Sequence, residues 1–276
     1  SSDRVVWALS AWNIYLATGD MDWLQKAYDI IGRSLEADFV VVYNPQTGLF
    51  RGESSFIDCR EQSYPVWAQP ADIYMSECLG TNAAYYGVLK VMEDMATVLG
   101  KKKDVKKYGQ KAEALKKAIN DNFWVEEDGY YASYLYGRQN LTRTQQSETL
   151  GESFCVLFGI ADEERAAKVI SSMPVGEFGP PIFSPQIVSQ PDYHNNGVWP
   201  YVTSFWGKAA AKVGNETALM HALACNVRTA SIYATNYENY SFNTGNPYTT
   251  QINSPNMLWG LSGFMGLFHR TFFGLE

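Results

Sequence analysis

Between Phe50 and Trp67 the chain places three acids, Glu53, Asp58 and Glu61, among the rings of Phe50, Phe56, Tyr64 and Trp67. A carboxylic acid beside aromatic surface loses solvation, so its pKa rises and it can donate a proton to a departing oxygen near neutrality. The segment reads equally as a loop tied down by Arg51 and Arg60 pairing with those acids. Much later, Glu238 stands alone between Tyr237 and Tyr240. Hydroxyl and amide groups around a carboxylate keep it ionised, which suits it to take a proton from water. A solvated helix-terminal acid is the alternative reading there.

A third segment, Pro191 to Tyr201, gathers Tyr193, His194, Asn195 and Trp199. Sugars offer an apolar ring face and a hydroxyl edge, and rings plus amides recognise both. Candidate contacts to a sugar are Phe56, Trp67, Tyr193, Trp199 and Tyr240 for stacking, with Arg60, His194 and Asn195 as polar partners. Glu148 and Glu152 suit either a sugar contact or the stabilisation of a helix N-terminus. His221 and His269 fall in helical patterns and receive no role.

Other chemistries lack their residues. There is no G-x-S-x-G turn, no phosphate loop ending in Lys and no G-x-G-x-x-G after a strand. Cys59, Cys78, Cys155 and Cys225 are widely spaced without a CxxC, so neither a zinc site nor a dense disulfide framework is expected, and buried free thiols are the reading. No cofactor or metal is expected. The triplets at Asn140, Asn215 and Asn239 match glycosylation acceptors, a pattern that chance often produces.

The elements that must position these residues are helical. Apolar periodicity predicts nine helices, at about 3–18, 21–41, 71–99, 104–122, 146–159, 162–173, 197–213, 215–231 and 256–272. Asp128-Gly129 predicts a β-hairpin over 123–137. Three long loops remain, at 43–70, 174–195 and 234–255, marked by Pro, Gly and Asn. Short turns on one side and long loops on the other suit a ring of helical hairpins with function on the long-loop rim. No fixed-period repeat marks a regular solenoid.

Bulk composition narrows the partners. A net charge of -7 over 276 residues disfavours a phosphate backbone, so no nucleic acid is expected. Lys101, Lys102, Lys103, Lys106 and Lys107 read as a solvated surface. No apolar run is long enough to span a membrane, and Ser1-Ser2-Asp3-Arg4 is not a secretory signal. The compartment stays open between periplasmic or secreted and cytoplasmic, with slight favour for the former.

Three segments together resemble the six-hairpin, (α/α)6-toroid glycosidases, particularly trehalases, processing α-glucosidases and the glucosidase part of glycogen debranching enzymes. Glu53-Ser-Ser-Phe-Ile-Asp58 is similar to the acid segment after the fifth helix of that group, with one extra residue before the Asp. His194-Asn-Asn-Gly-Val-Trp-Pro200 is similar to the aromatic segment opening the tenth helix, and Glu238-Asn-Tyr240 with Thr244-Gly245 to the base segment before the twelfth. The resemblance implies an all-α toroid, with 1–276 as one catalytic domain containing helices four to twelve. It also implies that the first three helices and any N-terminal domain lie outside the chain, leaving a gap for that segment or another copy to seal. It implies an inverting glycoside hydrolase on an oligosaccharide, with Asp58 as general acid and Glu238 as general base. The glycone expected is α-glucosyl, removed by exo action, with α-mannosidase, α-L-rhamnosidase or a non-catalytic sugar-binding module as alternatives.

Overall fold

The computed structural model describes residues 4–54, 63–138, 140–188 and 190–275. Its α-helices are α1 (Trp7–Thr18), α2 (Met21–Val41), α3 (Pro70–Met75), α4 (Leu79–Val98), α5 (Lys102–Phe123), α6 (Thr149–Leu157), α7 (Glu163–Ser172), α8 (Pro200–Lys212), α9 (Glu216–Tyr233) and α10 (Leu258–Gly266). The last continues into a π-helical turn, Leu267–Phe272. They form the hairpins α1/α2, α4/α5, α6/α7 and α8/α9, while α1, α4, α6, α8 and α10 touch one another in that order along an inner arc.

Side-chain pattern assigns the layers. Every residue from Leu79 to Leu89 of α4 and from Thr149 to Val156 of α6 is buried, as expected of helices enclosed on all sides. By contrast α5 buries one stripe, Tyr108, Ala112, Leu115, Ile119 and Phe123, and leaves Lys102, Lys103, Lys106, Lys107 and Lys117 in water. The same one-sided pattern runs along α2 through Leu24, Tyr28, Ile31 and Leu35. These are the outer helices, each covering the inner helix of its hairpin.

Short strands decorate one rim. They are β1 (Tyr43–Asn44) with β2 (Leu49–Phe50), β4 (Trp124–Val125) with β5 (Tyr130–Tyr131), and the ribbon β3 (Glu77–Cys78), β6 (Tyr134–Tyr136) and β7 (Thr142–Arg143). Two further antiparallel pairs are β8 (Ser147–Glu148) with β9 (Phe183–Ser184) and β10 (Gly197–Val198) with β11 (Tyr240–Ser241). Because β3 and β8 run directly into α4 and α6, and Trp199 alone separates β10 from α8, the sheet pairings set where the inner helices begin.

Several expectations need correction. The helix anticipated over 71–99 is two helices, because Glu77 and Cys78 pair with Leu135 and Tyr134 and pull the chain out of helical geometry. The helix total therefore rises to ten among the described residues. The anticipated hairpin over 123–137 closes at Trp124–Tyr131, and its later residues pair instead with β3 and β7. Helices foreseen from 146, 197 and 256 start later, at Thr149, Pro200 and Leu258. Cys78, Cys155 and Cys225 are buried free thiols, and Cys59 lies outside the described residues.

Inner and outer helices approach closely where a side chain is absent. A Cβ on Gly207 of α8 would meet the Ala222 Cβ of α9 at 2.8 Å and Leu267 at 3.1 Å. Alanine would gain about 1 kcal/mol of helix propensity over glycine, but Ala222 has no rotamer with which to yield, and overpacking costs about 1–3 kcal/mol. Gly207→Ala is therefore expected to lower the denaturant midpoint; an unchanged or raised midpoint would show that α8 and α9 are not packed backbone to backbone there.

Candidate active site

Asp58, Phe56 and Arg60, together with Glu61, lie outside the described residues, so the first loop is located by its roots. On the N-terminal side, Gly52 donates its N–H to the Ser76 carbonyl (2.7 Å), and the Ser54 hydroxyl donates to Glu148 Oε2 (3.2 Å). Beyond the undescribed stretch, Ser63 Oγ sits 2.5 Å from His194 Nδ1. Gln190 Nε2 also donates to the Tyr64 carbonyl (3.5 Å). The first long loop is thus bound to the second at its far end.

The third loop is bound to the same place. Ser241 Oγ donates to Asp192 Oδ2 (2.8 Å), and Gln251 N–H donates to the Asp192 carbonyl (2.7 Å). Pairing of β10 with β11 sets Gly197 opposite Ser241 and Val198 opposite Tyr240. Asp192, Tyr193 and His194 therefore form a common attachment for the loops carrying Asp58 and Glu238. The turn that presents them needs Gly197, since a Cβ there would fall 1.8 Å from the Tyr193 carbonyl oxygen.

Glu238 is half-buried, and its N–H donates to the Ser254 carbonyl (2.9 Å). Around it the loop is braced by rings: Tyr233 stacks on Tyr240 at 5.7 Å, and the Tyr237 and Tyr248 hydroxyls meet at 3.1 Å. Asn253 completes the brace by donating to the Asn239 and Pro247 carbonyls. Glu238 is thus presented from a long loop braced by its own hydrogen bonds and rings.

The other residues singled out in the sequence divide by exposure. Trp67 is 55% exposed and packs on Tyr136 at 5.5 Å, an indole available to a ligand. Tyr193, Trp199 and Tyr240 are buried beneath the rim. Trp199 Nε1 donates to the Tyr193 carbonyl (3.0 Å), and the Tyr240 hydroxyl accepts from the Tyr237 N–H (3.2 Å). Asn195 bonds the Ile187 backbone through both Oδ1 and Nδ2 and reaches the Gln190 carbonyl as well. Its amide holds the second loop in shape. His194 is buried beside Tyr193 and Trp199.

Sequence reasoning gave little weight to Glu148, a rim acid that is bonded from three parts of the chain. Glu148 caps α6 by accepting from Gly151 N–H (3.1 Å), and accepts also from the Gly80 N–H of α4 and from Ser54. Glycine lets the backbone approach this carboxylate closely on both sides. A Cβ on Gly80 would lie 2.5 Å from Ser54 Oγ, and one on Gly151 would lie 2.8 Å from Glu148 Oε2. Complete burial pushes its pKa up to about 7 against these donors. One turn on, burial raises Glu152 well above the usual range, with Glu148 adding to the effect, while Tyr131 N–H donates to its Oε1 (2.9 Å). Among the described residues no group of three His, Cys, Asp or Glu side chains is placed to hold a metal, and no helix is long and apolar enough to cross a membrane.

Folded Glu148 holds its proton more tightly than an ordinary glutamate titrating near 4.5. Its contribution to stability is therefore present below about pH 4.5 and is lost as pH rises through about 7. Urea unfolding of the wild type and of E148Q from acid to neutral pH should show the wild type losing about 3 kcal/mol relative to the variant across that window. Parallel stability curves would contradict a buried, titrating Glu148.

Comparison with known proteins places this geometry. Similar solved structures include a GH78-family rhamnosidase of Bacillus sp. GL1 (TM-score 0.67, 19% identity, 94% of this chain and 25% of that one). Another is a rhamnosidase from Klebsiella oxytoca with rhamnose bound (0.66, 15%, 97% and 46%), and a third is a sialidase (0.76, 14%, 97% and 26%). At these identities the likeness shows the fold, and the chain spans between a quarter and just under half of those proteins. The comparison with curated proteins found no match. The model of the bacterial α-L-rhamnosidase six-hairpin glycosidase domain matches residues 4–175, more than half of the chain, and the chain belongs to that family.

Proposed function

We propose that the chain is the catalytic toroid of an exo-acting glycoside hydrolase that removes an α-L-rhamnosyl unit from an oligosaccharide with inversion. Asp58 protonates the leaving oxygen and Glu238 activates water on the opposite face of the sugar. The observation that carries this reading is the double attachment at Asp192–His194: Ser63 bonds His194 and Ser241 bonds Asp192. Asp58 lies five residues before Ser63 and Glu238 three before Ser241, so both acids belong to loops rooted on three consecutive residues. An inverting pair works about 6.5–9.5 Å apart, with a water between.

The family match favours L-rhamnose over the glucose that the trehalase-like segments imply. Two of the three similar structures are rhamnosidases, which supports the same choice. The exposed Trp67, backed by Tyr136, serves as a platform for the apolar face of the sugar. Phe56 and Arg60, in the same loop by sequence, are the further sugar contacts of this reading. Buried Tyr193, Trp199 and Tyr240 form the floor that holds the loops, with His194 and Asn195 fixing the middle one.

The test is turnover of aryl α-L-rhamnopyranoside against the α-D-gluco- and α-D-mannopyranosides by the intact protein. Preference for the rhamnoside is expected, and D58N and E238Q should each lose about 10²–10⁴-fold in kcat while keeping the wild-type unfolding midpoint. Preference for another glycone overturns the sugar assignment, full activity in either variant overturns that residue's role, and sugar binding without turnover overturns hydrolysis. Trp67→Ala should raise KM about tenfold with little change in kcat; a change confined to kcat would remove Trp67 from the platform.

A further inference from the structure

Where the first loop leaves α2, a cavity of about 490 Å³ opens between the β1–β2 turn, the C-terminal end of α5 and the β6–β7 ribbon. Arg51, Arg138 and Arg143 line it, with Gln46, Asn140 and Asp121. The volume falls in the range of small-molecule sites, about 300–1,000 Å³. In a chain of net charge -7, three guanidinium groups in one cavity are an unusual concentration of positive charge.

Among the described residues the acids nearby form a direct ion pair with only one of these cations. Asp72 pairs with Arg138, and Asp121 pairs with Lys117. Glu77, behind the wall, is bonded to Asn44 (2.7 Å) and Thr47 (2.9 Å) and acts on Arg51 only through space. Arg143 donates Nη1 to the Trp124 carbonyl (2.5 Å), which fixes its position without neutralising it. Arg51 is half-buried, and among the described residues no carboxylate pairs with it. Holding a cation partly out of water without a counter-ion is costly, and an anion bound in the cavity would offset that cost through charge-assisted, fork-shaped hydrogen bonds.

The geometry points to a subsite for the anionic group of an acidic saccharide, a uronate carboxylate or a sulfate ester, held by Arg51 and Arg143. Amide groups of Gln46 and Asn140 on the same wall suit sugar hydroxyls. Opposite faces of the ribbon separate the cavity from the platform: Leu135 lines the cavity while the next residue, Tyr136, packs on Trp67. The anionic unit therefore sits outside the position assigned to the departing sugar, as part of the remaining oligosaccharide. That the ligand is a sugar rests on the hydrolase reading; the charge chemistry does not.

Calorimetric titration of the intact protein with methyl glucuronide, methyl glucoside 6-sulfate and neutral methyl glucoside reads binding without turnover, so the outcome is independent of whether rhamnosides are cleaved. Saturable binding of at least one anionic sugar, absent for the neutral one and weakened about tenfold or more in both R51M and R143M, is expected. The stronger of the two anions then identifies the group. Among the described residues the Arg51 guanidinium makes no hydrogen bond, and its backbone bond to the Val42 carbonyl (2.9 Å) is retained in R51M, so that variant tests the cavity without removing a side-chain hydrogen bond. Equal binding of the neutral sugar, undiminished anion binding in R51M, or no saturation by either anion up to about 10 mM overturns the proposal.

Discussion

The carboxylate of Glu148 draws hydrogen bonds from three parts of the chain: the start of α4 through Gly80, the first turn of α6 through Gly151, and the root of the first loop through Ser54. Each donor is a partial positive charge, and two belong to helix N-termini, where the backbone dipole favours a negative group. Burial opposes ionisation here, so the site is balanced between two expensive states. A neutral acid wastes some of the donors, and an anion is deprived of water. Only close backbone approach makes the arrangement possible, hence the glycines on both flanks.

From this fixed point the rim follows. With α4 and α6 registered against each other and the first loop rooted on Ser54, the far end of that loop reaches the His194 turn through Ser63. The third loop reaches the adjoining Asp192 through Ser241. Buried aromatic side chains under the rim resist collapse of these polar attachments: Trp199 packs edge-on against Trp259 at 5.4 Å and against Tyr193 at 5.1 Å. Long loops can then carry chemistry because their ends are held by the helices beneath them.

Helical layering was legible where one residue in every three or four met the core, as in Tyr108, Ala112, Leu115 and Ile119 of α5. The interruption at Glu77–Cys78 was not, because its cause is pairing with Tyr134 and Leu135, far away in sequence and invisible to local periodicity. For Glu148 the helix-start reading was available, and its capping bond to Gly151 agrees with it. That Ser54 and Gly80 converge on the same oxygens depends on tertiary packing. Asn195 and Trp199 had the composition of sugar contacts, yet one stitches a loop and the other lies 1% exposed in the core. Amides and rings serve packing and recognition equally well, and only position separates the two. Arg51 shows the same limit for charge, since pairing with a loop acid and lining an open cavity require the same residue.

If the two acids face one sugar from opposite sides with room for a water, the stereochemistry of cleavage is determined. Proton NMR during the first minutes of aryl α-L-rhamnopyranoside hydrolysis, before mutarotation, measures it directly. The account predicts that β-L-rhamnose accumulates first. Initial release of the α-anomer would require a covalent glycosyl intermediate on a carboxylate much closer to the acid, and would contradict the inverting pair proposed.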